Sequence, residues 1–259
     1  MKKWVSIGDK ALPTIAGIMV LLFWEAVGFF GWIPVYILPP PSRVAQALVK
    51  DAGLLFLHGR VTLMEAGVGF LIAILTGSGL ALWLDHSPLV RRIVYPYLIT
   101  SQTVPIVTLA PLFAMWFGFG YLPKILIVVL VCFFPLTISL LDGLASVDRE
   151  LIDLMRSMGA TPWQRYRWVK LPAALPSLFA GLKISGTYSI MGAVIGEWVG
   201  GRMGLGVYML RVRQSFATDR VFAVIVVIVM LSIMVLKLIQ LAERKAMPWI
   251  TNTDNQQRQ

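Results

Sequence analysis

The sequence predicts an all-α polytopic membrane protein with six transmembrane helices and one structured segment outside the membrane. Of its 259 residues, 58% are hydrophobic and 14% charged, whereas soluble domains have about 45–50% and about 25%. Six runs approach the roughly 20 apolar residues that span a bilayer. Their continuous apolarity argues against barrel strands, which alternate. The runs lie near residues 12–31, 61–84, 93–117, 122–142, 174–197 and 221–241.

The first run continues past Glu25 without a small-residue cleavage site, which favours an uncleaved span over a signal peptide. The proline run in YILPPPS then predicts a stiff, extended entry. Residues 42–57 predict a short amphipathic helix on the outer membrane face. We therefore divide the chain into the first helix with an outer-face segment, a core domain and a polar tail. The boundaries are 1–60, 61–245 and 246–259.

The third run carries Ser101, Gln102 and Thr103 in place of charge, among helix-breaking prolines. Polar groups at membrane depth are tolerated where they line a cavity or are buried in protein. We expect these side chains to face a translocation path and to hydrogen-bond a neutral heteroaromatic ring. The alternative is hydrogen bonding between helices. The same path is predicted to include three residues of the fifth run: Thr187, Tyr188 and Glu197.

Acidic residues in the apolar runs have a second interpretation. Glu197, near the end of its run, is also compatible with a solvated or paired carboxylate. Glu65 lies deeper in its run, where we expect it to pair with Arg60 or to line the path.

Gly192, Gly196 and Gly200 recur at every fourth residue. This spacing places small residues on one helix face and predicts close helix packing, within the chain or between two copies.

Residues 148–172 interrupt the apolar runs with basic and aromatic residues. Asp148 or Ser146 can cap a first helix, which Gly159 would end in a left-handed conformation. Thr161 and Gln164 form a predicted capping box for a second helix that ends before Pro172.

The basic residues predict the orientation. With the N-terminus inside, inner segments hold 13 Lys and Arg and outer segments 8, and the two remaining lie within spans, for a total of 23. This excess predicts that both termini and residues 148–172 are cytoplasmic. The net charge of +10 is therefore better explained by topology than by nucleic-acid binding. An ordinary basic loop is the alternative for residues 148–172, but their aromatic residues favour a protein interface.

The segment resembles the cytoplasmic signature of ABC-importer permeases. That signature reads Glu-Ala-Ala, three residues, Gly, nine residues, Ile, one residue, Leu-Pro. The resemblance implies a type I permease fold and a coupling helix that binds a groove of an ABC ATPase dimer. It also implies a soluble substrate-binding protein and a permease homodimer in membrane lipid. The positions assigned to coupling are Asp153, Leu154, Met155, Gly159, Ala160, Trp163, Val169, Leu171 and Pro172.

Other stretches are similar to the nitrate, sulfonate and taurine branch of that family, among them Trp24-Glu25 and Trp116 to Gly120. Residues 101–105, 140–144 and 196–201 most resemble members assigned to thiamin pyrimidine precursors. This resemblance implies uptake of such a precursor across the bacterial inner membrane. Sulfonate, taurine, nitrate and riboflavin are the alternative substrates.

The sequence contains no glycine-rich loop ending in Gly-Lys-Ser/Thr, so we expect no ATPase activity from this chain. Cys132 is the sole cysteine, and His58 and His86 lie far apart, which predicts no metal site. We expect no bound cofactor, with ATP and Mg²⁺ held by the partner ATPase.

Two other classes of membrane protein would show different patterns. An ion-driven secondary transporter would need inverted repeats and acid–base relays, and an intramembrane enzyme would need convergent catalytic residues. We find neither pattern in the sequence.

Overall fold

The computed structural model describes residues 2–248, with side chains from Leu12 onward. Within this range the regular structure is helical, which confirms the predicted all-α fold. A five-residue π turn, Tyr166–Lys170, joins the helices Pro162–Arg165 and Leu171–Trp198. The helices are α1 (Lys2–Phe29), α2 (Pro41–Lys50), α3 (Ala52–His86), α4 (Pro88–Ser101), α5 (Ile106–Phe117), α6 (Tyr121–Ala145), α7 (Arg149–Ser157), α8 (Pro162–Arg165), α9 (Leu171–Trp198), α10 (Leu205–Gln214) and α11 (Thr218–Ala246).

Five helical segments in the described range are long and apolar enough to cross a membrane. They are Leu12–Phe29, Ala52–His86, Tyr121–Ala145, Pro162–Trp198 and Thr218–Ala246. The predicted third span corresponds to a pair of helices, α4 and α5, bent by 98°, and counting the pair as one broken span gives six spans in the described range. Pro105 disfavours helical geometry at the residue before it and has no N–H to donate, so α4 ends before it and α5 starts after it.

Helices α3, α6 and α9 form the centre of the bundle. Between α6 and α9, the Cys132 thiol donates to the Ser185 carbonyl at 3.1 Å, and the Ser185 hydroxyl donates to the Cys132 carbonyl at 2.8 Å. A Cβ atom on Gly196 would lie 3.0 Å from the Lys124 Cα, so the two backbones approach closely there. Gly192 meets α6 in the same way, beside Val128.

The assignment of Gly200 to this packing face is wrong. Helix α9 ends at Trp198, and Gly200 lies in the following turn with a φ of 76°. The turn redirects the chain toward α10, so the four-residue spacing does not continue on the helix face. Gly200 approaches the ring of Phe119 instead.

The predicted amphipathic helix is shorter than expected, and its buried face packs against protein. Helix α2 ends at Lys50, and residues 54–57 already belong to α3. Val44 and Ala47 on α2 are buried in one apolar cluster with Tyr208 of α10 and Val224 of α11. The face of α2 that we expected to lie on the membrane therefore packs in part on α10.

Helix α1 is largely separate from the remaining helices, with only 6% of the Leu12–Phe29 segment buried. It is attached near its C-terminal end, where the Glu25 carboxylate accepts hydrogen bonds from the Ser42 N–H at 3.0 Å and from the Ser42 hydroxyl at 2.6 Å.

The proposed boundary at 60/61 falls inside α3 and is not a break between structural units. Of the predicted tail 246–259, residues from 249 lie outside the described range.

Candidate functional site

Helices α7 and α8 form a corner at one end of the bundle, which we call the α7–α8 corner (residues 148–165). The Asp148 side chain accepts a hydrogen bond from the Glu150 N–H at 2.9 Å and caps α7. Gly159 has a φ of 80°, a region that L-residues rarely adopt, and it turns the chain after Met158. The N–H of Ala160 then bonds the Met155 carbonyl at 3.0 Å and closes the helix end.

The capping box at the start of α8 is confirmed. The Gln164 N–H donates to the Thr161 hydroxyl at 3.3 Å, and the Thr161 N–H donates to the Gln164 side chain at 2.8 Å. The predicted end of this helix before Pro172 is wrong, because α8 continues through the π turn into α9. The Leu171 N–H bonds the Tyr166 carbonyl, five residues back, and this wider turn leads into the proline without breaking the helix.

The predicted coupling residues occupy two environments. Asp153, Leu154 and Trp163 are exposed on the corner, and the exposed fraction reaches 57% for Leu154 and 68% for Trp163. The neighbouring Met158 is 75% exposed. Gly159 is also exposed and Met155 and Ala160 are half-buried, while the half-buried residues at the base of the corner are Val169, Leu171 and Pro172.

One ion pair anchors the base of the corner. The Lys170 ammonium lies 2.8 Å from one Asp85 carboxylate oxygen and 2.9 Å from the other, joining the π turn to the end of α3. Leu171 and Tyr166 pack beside this pair against the buried Leu84 cluster. The partners are separated by 85 residues, so no local pattern in the sequence indicates the pair.

A cavity of about 470 Å³ opens where the bend between α4 and α5 faces α6 and α9. Of the predicted path residues, Ser101, Gln102 and Tyr188 line it. Apolar side chains make up the rest of its wall: Val104, Ile106, Leu109, Leu130, Val131, Phe134, Pro135 and Met191. We call this space the α4–α5 cavity.

Two predicted path residues do not line the α4–α5 cavity. The Thr103 hydroxyl donates to the Thr100 carbonyl at 2.7 Å, and the Thr187 hydroxyl donates to the Lys183 carbonyl at 3.0 Å. Each group therefore bonds the backbone of its own chain segment, as threonines in apolar surroundings commonly do.

Glu197 lies in a different place, at the opposite end of the bundle from the α7–α8 corner. Its carboxylate accepts hydrogen bonds from the Thr62 hydroxyl at 2.6 Å and from the Gly206 N–H at 2.5 Å. Thr62 in turn accepts from the Leu205 N–H at 2.9 Å. These bonds fix the first turn of α10 to α3 and α9, so the geometry assigns Glu197 to positioning α10 and separates it from the cavity.

Three more side chains complete this α10-end polar cluster, which we define as His58, Thr62, Glu65, Lys124 and Glu197. The Gly204 N–H donates to His58 Nδ1 at 3.0 Å. The Lys124 ammonium lies 2.7 Å from Glu65 Oε1, and the side chains are only 7% and 0% exposed. Glu65 therefore pairs with Lys124, and the expected pairing with Arg60 is wrong.

Asp51 forms a related contact between α10 and its neighbours. Its carboxylate accepts a hydrogen bond from the Tyr208 hydroxyl at 2.8 Å and forms an ion pair with Arg220, whose Nε lies 3.1 Å away. Burial, together with the bond to Asp51, raises the pKa of the Tyr208 hydroxyl to about 12. The phenol therefore stays protonated, and donates, across the physiological pH range.

Comparison with known proteins places this architecture in a family. Residues 69–247 match the profile of the binding-protein-dependent transport system inner membrane component. A solved amino acid ABC transporter, crystallised with histidines, shares the fold with a TM-score of 0.61 at 20% identity, over 77% of this chain and 97% of that one. The type I permease fold expected from the sequence is thereby confirmed.

Three relatives carry different substrate names. The chain is 35% identical to the formylaminopyrimidine transport permease protein ThiX of Halalkalibacterium halodurans, over 92% of this chain and 95% of the relative. It is 35% identical to the riboflavin transport system permease protein RibX of Chloroflexus aurantiacus, over 95% and 91%. The taurine transport system permease protein TauC of Escherichia coli is 31% identical over 89% and 86%.

The bundle of apolar helices, the profile match and the relatives agree. The chain belongs to the family of binding-protein-dependent transport system inner membrane components and is a permease subunit of an ABC transporter.

Proposed function

We propose that the chain forms the translocation path of an importer for a small neutral heteroaromatic solute, a pyrimidine precursor of thiamin. Two copies would enclose the path, and a soluble binding protein would deliver the solute from outside. A pair of ABC ATPases, holding ATP and Mg²⁺, would supply the energy. The chain itself binds no cofactor in this proposal.

The exposed apolar surface of the α7–α8 corner is the main support for the proposed binding of an ATPase. None of residues 149–157 is buried. Leu151 and Leu154 nevertheless lie on one side of α7, and Met158 follows at its C-terminal end, so three apolar side chains are exposed close together. Apolar side chains exposed together on a structured projection are typical of a protein interface. A soluble ATPase that binds this surface would remove it from water.

The orientation follows from charge. The excess of Lys and Arg on the segments that include the α7–α8 corner favours a cytoplasmic location for this end and for both termini. The α10-end polar cluster would then lie toward the outer face, where the binding protein arrives. ATP-driven closure of the ATPases would displace the corner and, through α9, alternate the path between outward-open and inward-open states.

The α4–α5 cavity supports the choice of solute. It offers uncharged polar groups from Ser101, Gln102 and Tyr188 within an apolar wall, which suits a small ring with hydrogen-bonding edges. The 35% identity to a formylaminopyrimidine permease supports the same choice. Sulfonate, taurine, nitrate or riboflavin transport is the alternative.

Copurification tests the coupling surface. The chain is co-expressed with the ATPase of the same transporter and purified through a tag on the chain. Leu154→Asp places a charge at the centre of the exposed apolar face, and we expect it to abolish ATPase recovery while the chain stays folded. Arg149→Gln, on the exposed polar side of the same helix, is the control. Normal ATPase recovery with Leu154→Asp would refute the assignment of this surface.

Uptake tests the solute and the energy source. In cells that require a pyrimidine precursor of thiamin, the complete transporter should restore growth, and an ATPase variant that cannot hydrolyse ATP should not. Restoration with the inactive ATPase would indicate an ion-driven transporter. Rescue of growth on taurine or riboflavin, without pyrimidine uptake, would assign the chain to one of the alternative substrate groups.

A further inference from the structure

Most polar side chains near the bend between α4 and α5 are already hydrogen-bonded to the backbone. The Ser101 hydroxyl donates to the Leu98 carbonyl at 2.8 Å, and the Thr100 hydroxyl donates to the Pro96 carbonyl at 2.9 Å. Such hydroxyls have used their one donor. They can still accept a hydrogen bond, but they cannot donate one to a solute.

Two side chains that line the α4–α5 cavity are different. The Gln102 amide and the Tyr188 hydroxyl make no side-chain hydrogen bond to any residue in the range 12–248. An amide offers two donor hydrogens and a carbonyl acceptor, and a phenol offers one donor and one acceptor. They come from different parts of the fold, one from the end of α4 and one from the middle of α9. Both side chains are exposed and line the same cavity, so their donors and acceptors are available to a solute there.

The charge of the cavity wall limits what can bind there. None of the residues that line this cavity is acidic, basic or histidine. Moving an ion from water into such surroundings costs far more than moving a neutral polar group whose hydrogen bonds are replaced. A sulfonate or nitrate would find no compensating cation in this chain's share of the wall. A neutral ring, in contrast, can pack against the apolar wall and form hydrogen bonds with Gln102 and Tyr188.

We infer that Gln102 and Tyr188 are the specificity-determining residues of the cavity, selecting neutral planar heteroaromatic solutes with both donors and acceptors on the ring edge. The inference rests on the proposed function, since it concerns the solute of the same path. It names a chemical class that includes an aminopyrimidine and a flavin and leaves out sulfonates. A cavity of about 470 Å³ is within the usual size range of small-molecule sites.

Direct binding to the purified permease–ATPase complex, prepared without the soluble binding protein, tests the inference without relying on transport. Equilibrium dialysis with radiolabelled hydroxymethylpyrimidine, riboflavin and taurine gives one dissociation constant for each probe. Gln102→Leu removes the amide at similar size, and Tyr188→Phe removes only the hydroxyl. Thr100→Val is the matched control, because its hydroxyl is bonded to the backbone and lies outside the cavity wall.

We expect either ring compound to bind and taurine not to bind. Gln102→Leu and Tyr188→Phe should each raise the dissociation constant of the bound ring compound by about 2- to 13-fold, the usual effect of a lost hydrogen bond. Thr100→Val should leave it unchanged. Unchanged ring binding in both cavity variants, or taurine binding in the wild type, would overturn the inference.

The two proposals fail in different ways. If riboflavin binds and hydroxymethylpyrimidine does not, and the Gln102 and Tyr188 variants weaken riboflavin, the solute in the proposed function is wrong and the selectivity inference stands. If hydroxymethylpyrimidine is transported but neither variant affects its binding, the proposed function stands and the selectivity inference is wrong.

Discussion

The two ends of the helical bundle treat polar and apolar groups in opposite ways. At the α10 end, charged and polar side chains are buried and bonded to one another, as with Glu65 and Lys124 at 2.7 Å. At the α7–α8 corner, apolar side chains such as Leu154 and Met158 are exposed, and the polar groups serve the local backbone. The first end depends on contacts between distant helices for its stability. The second is shaped mainly by hydrogen bonds between residues close in the chain, and it leaves apolar side chains exposed.

The largest expected effect comes from breaking the buried ion pair. Lys124→Met would leave the Glu65 carboxylate buried without its cation, which costs about 3–5 kcal/mol. We expect a large fall in the thermal unfolding temperature of the detergent-solubilised chain. The double variant Glu65→Gln with Lys124→Met removes both charges and should recover most of the loss. Equal instability of the single and double variants would contradict this account.

A smaller effect is expected at Thr62, whose hydroxyl bonds two groups outside its own helix. Thr62→Val keeps the shape but removes the donor to Glu197 and the acceptor for the Leu205 N–H. An unsatisfied buried group costs about 1–3 kcal/mol. Hydrogen exchange of the first turn of α10 should accelerate more than exchange in α7. Thr137→Val, whose buried hydroxyl bonds only the Phe133 carbonyl four residues back, is the control.

At the α7–α8 corner, the backbone of Gly159 should be more sensitive than its surroundings. No atom lies within 4 Å of an added Cβ, so Gly159→Ala tests conformation without steric conflict. The left-handed conformation costs a non-glycine residue about 1–2 kcal/mol. Gly159→Asn should lose less, because asparagine adopts this region more readily. Thermal unfolding of the three chains gives the order, and an alanine variant as stable as wild type would contradict it.

The smallest effect is expected for an exposed charge on α7. Asp153 and Arg156 approach to 3.9 Å with side chains 70% and 71% exposed. Such pairs contribute little because water and salt screen them. Asp153→Asn should change the free energy of unfolding of the isolated chain by less than about 0.5 kcal/mol. A measurable loss would show that the corner makes further contacts and does not stand alone.

The difference between local bonds at the α7–α8 corner and long-range bonds at the α10 end also explains which features the sequence predicted. The capping box at Thr161 and Gln164 and the corner at Gly159 involve residues within a few positions of one another, so their chemistry is readable from the order of residues. The bond between Thr62 and Glu197 spans 135 positions, and the pair Glu65–Lys124 spans 59. The order of residues allows many acidic and basic side chains to pair with each other. Only the packing of α3, α6 and α9 determines which of these pairs form.

The cavity was predictable only in part. Uncharged polar residues among prolines indicated that the third apolar run was irregular, and the structure bends there by 98°. The chain order did not indicate which hydroxyls bond their own backbone. It also did not show that Gly200 lies beyond the end of α9, because a spacing of four residues is the same whether or not the helix continues.

The π turn at Tyr166–Lys170 determines how a push on the corner is transmitted. Because α8 runs through this turn into α9, the chain is helical from Pro162 to Trp198, and no loop separates the base of the corner from Tyr188. Tyr188 lies 17 residues beyond Leu171, or about 25 Å at the helical rise per residue. In the proposed transporter, a twist applied at α8 by the partner ATPases would be carried along this helix to Tyr188 at the cavity wall. Release of the solute would then be timed by the nucleotide cycle of those partners.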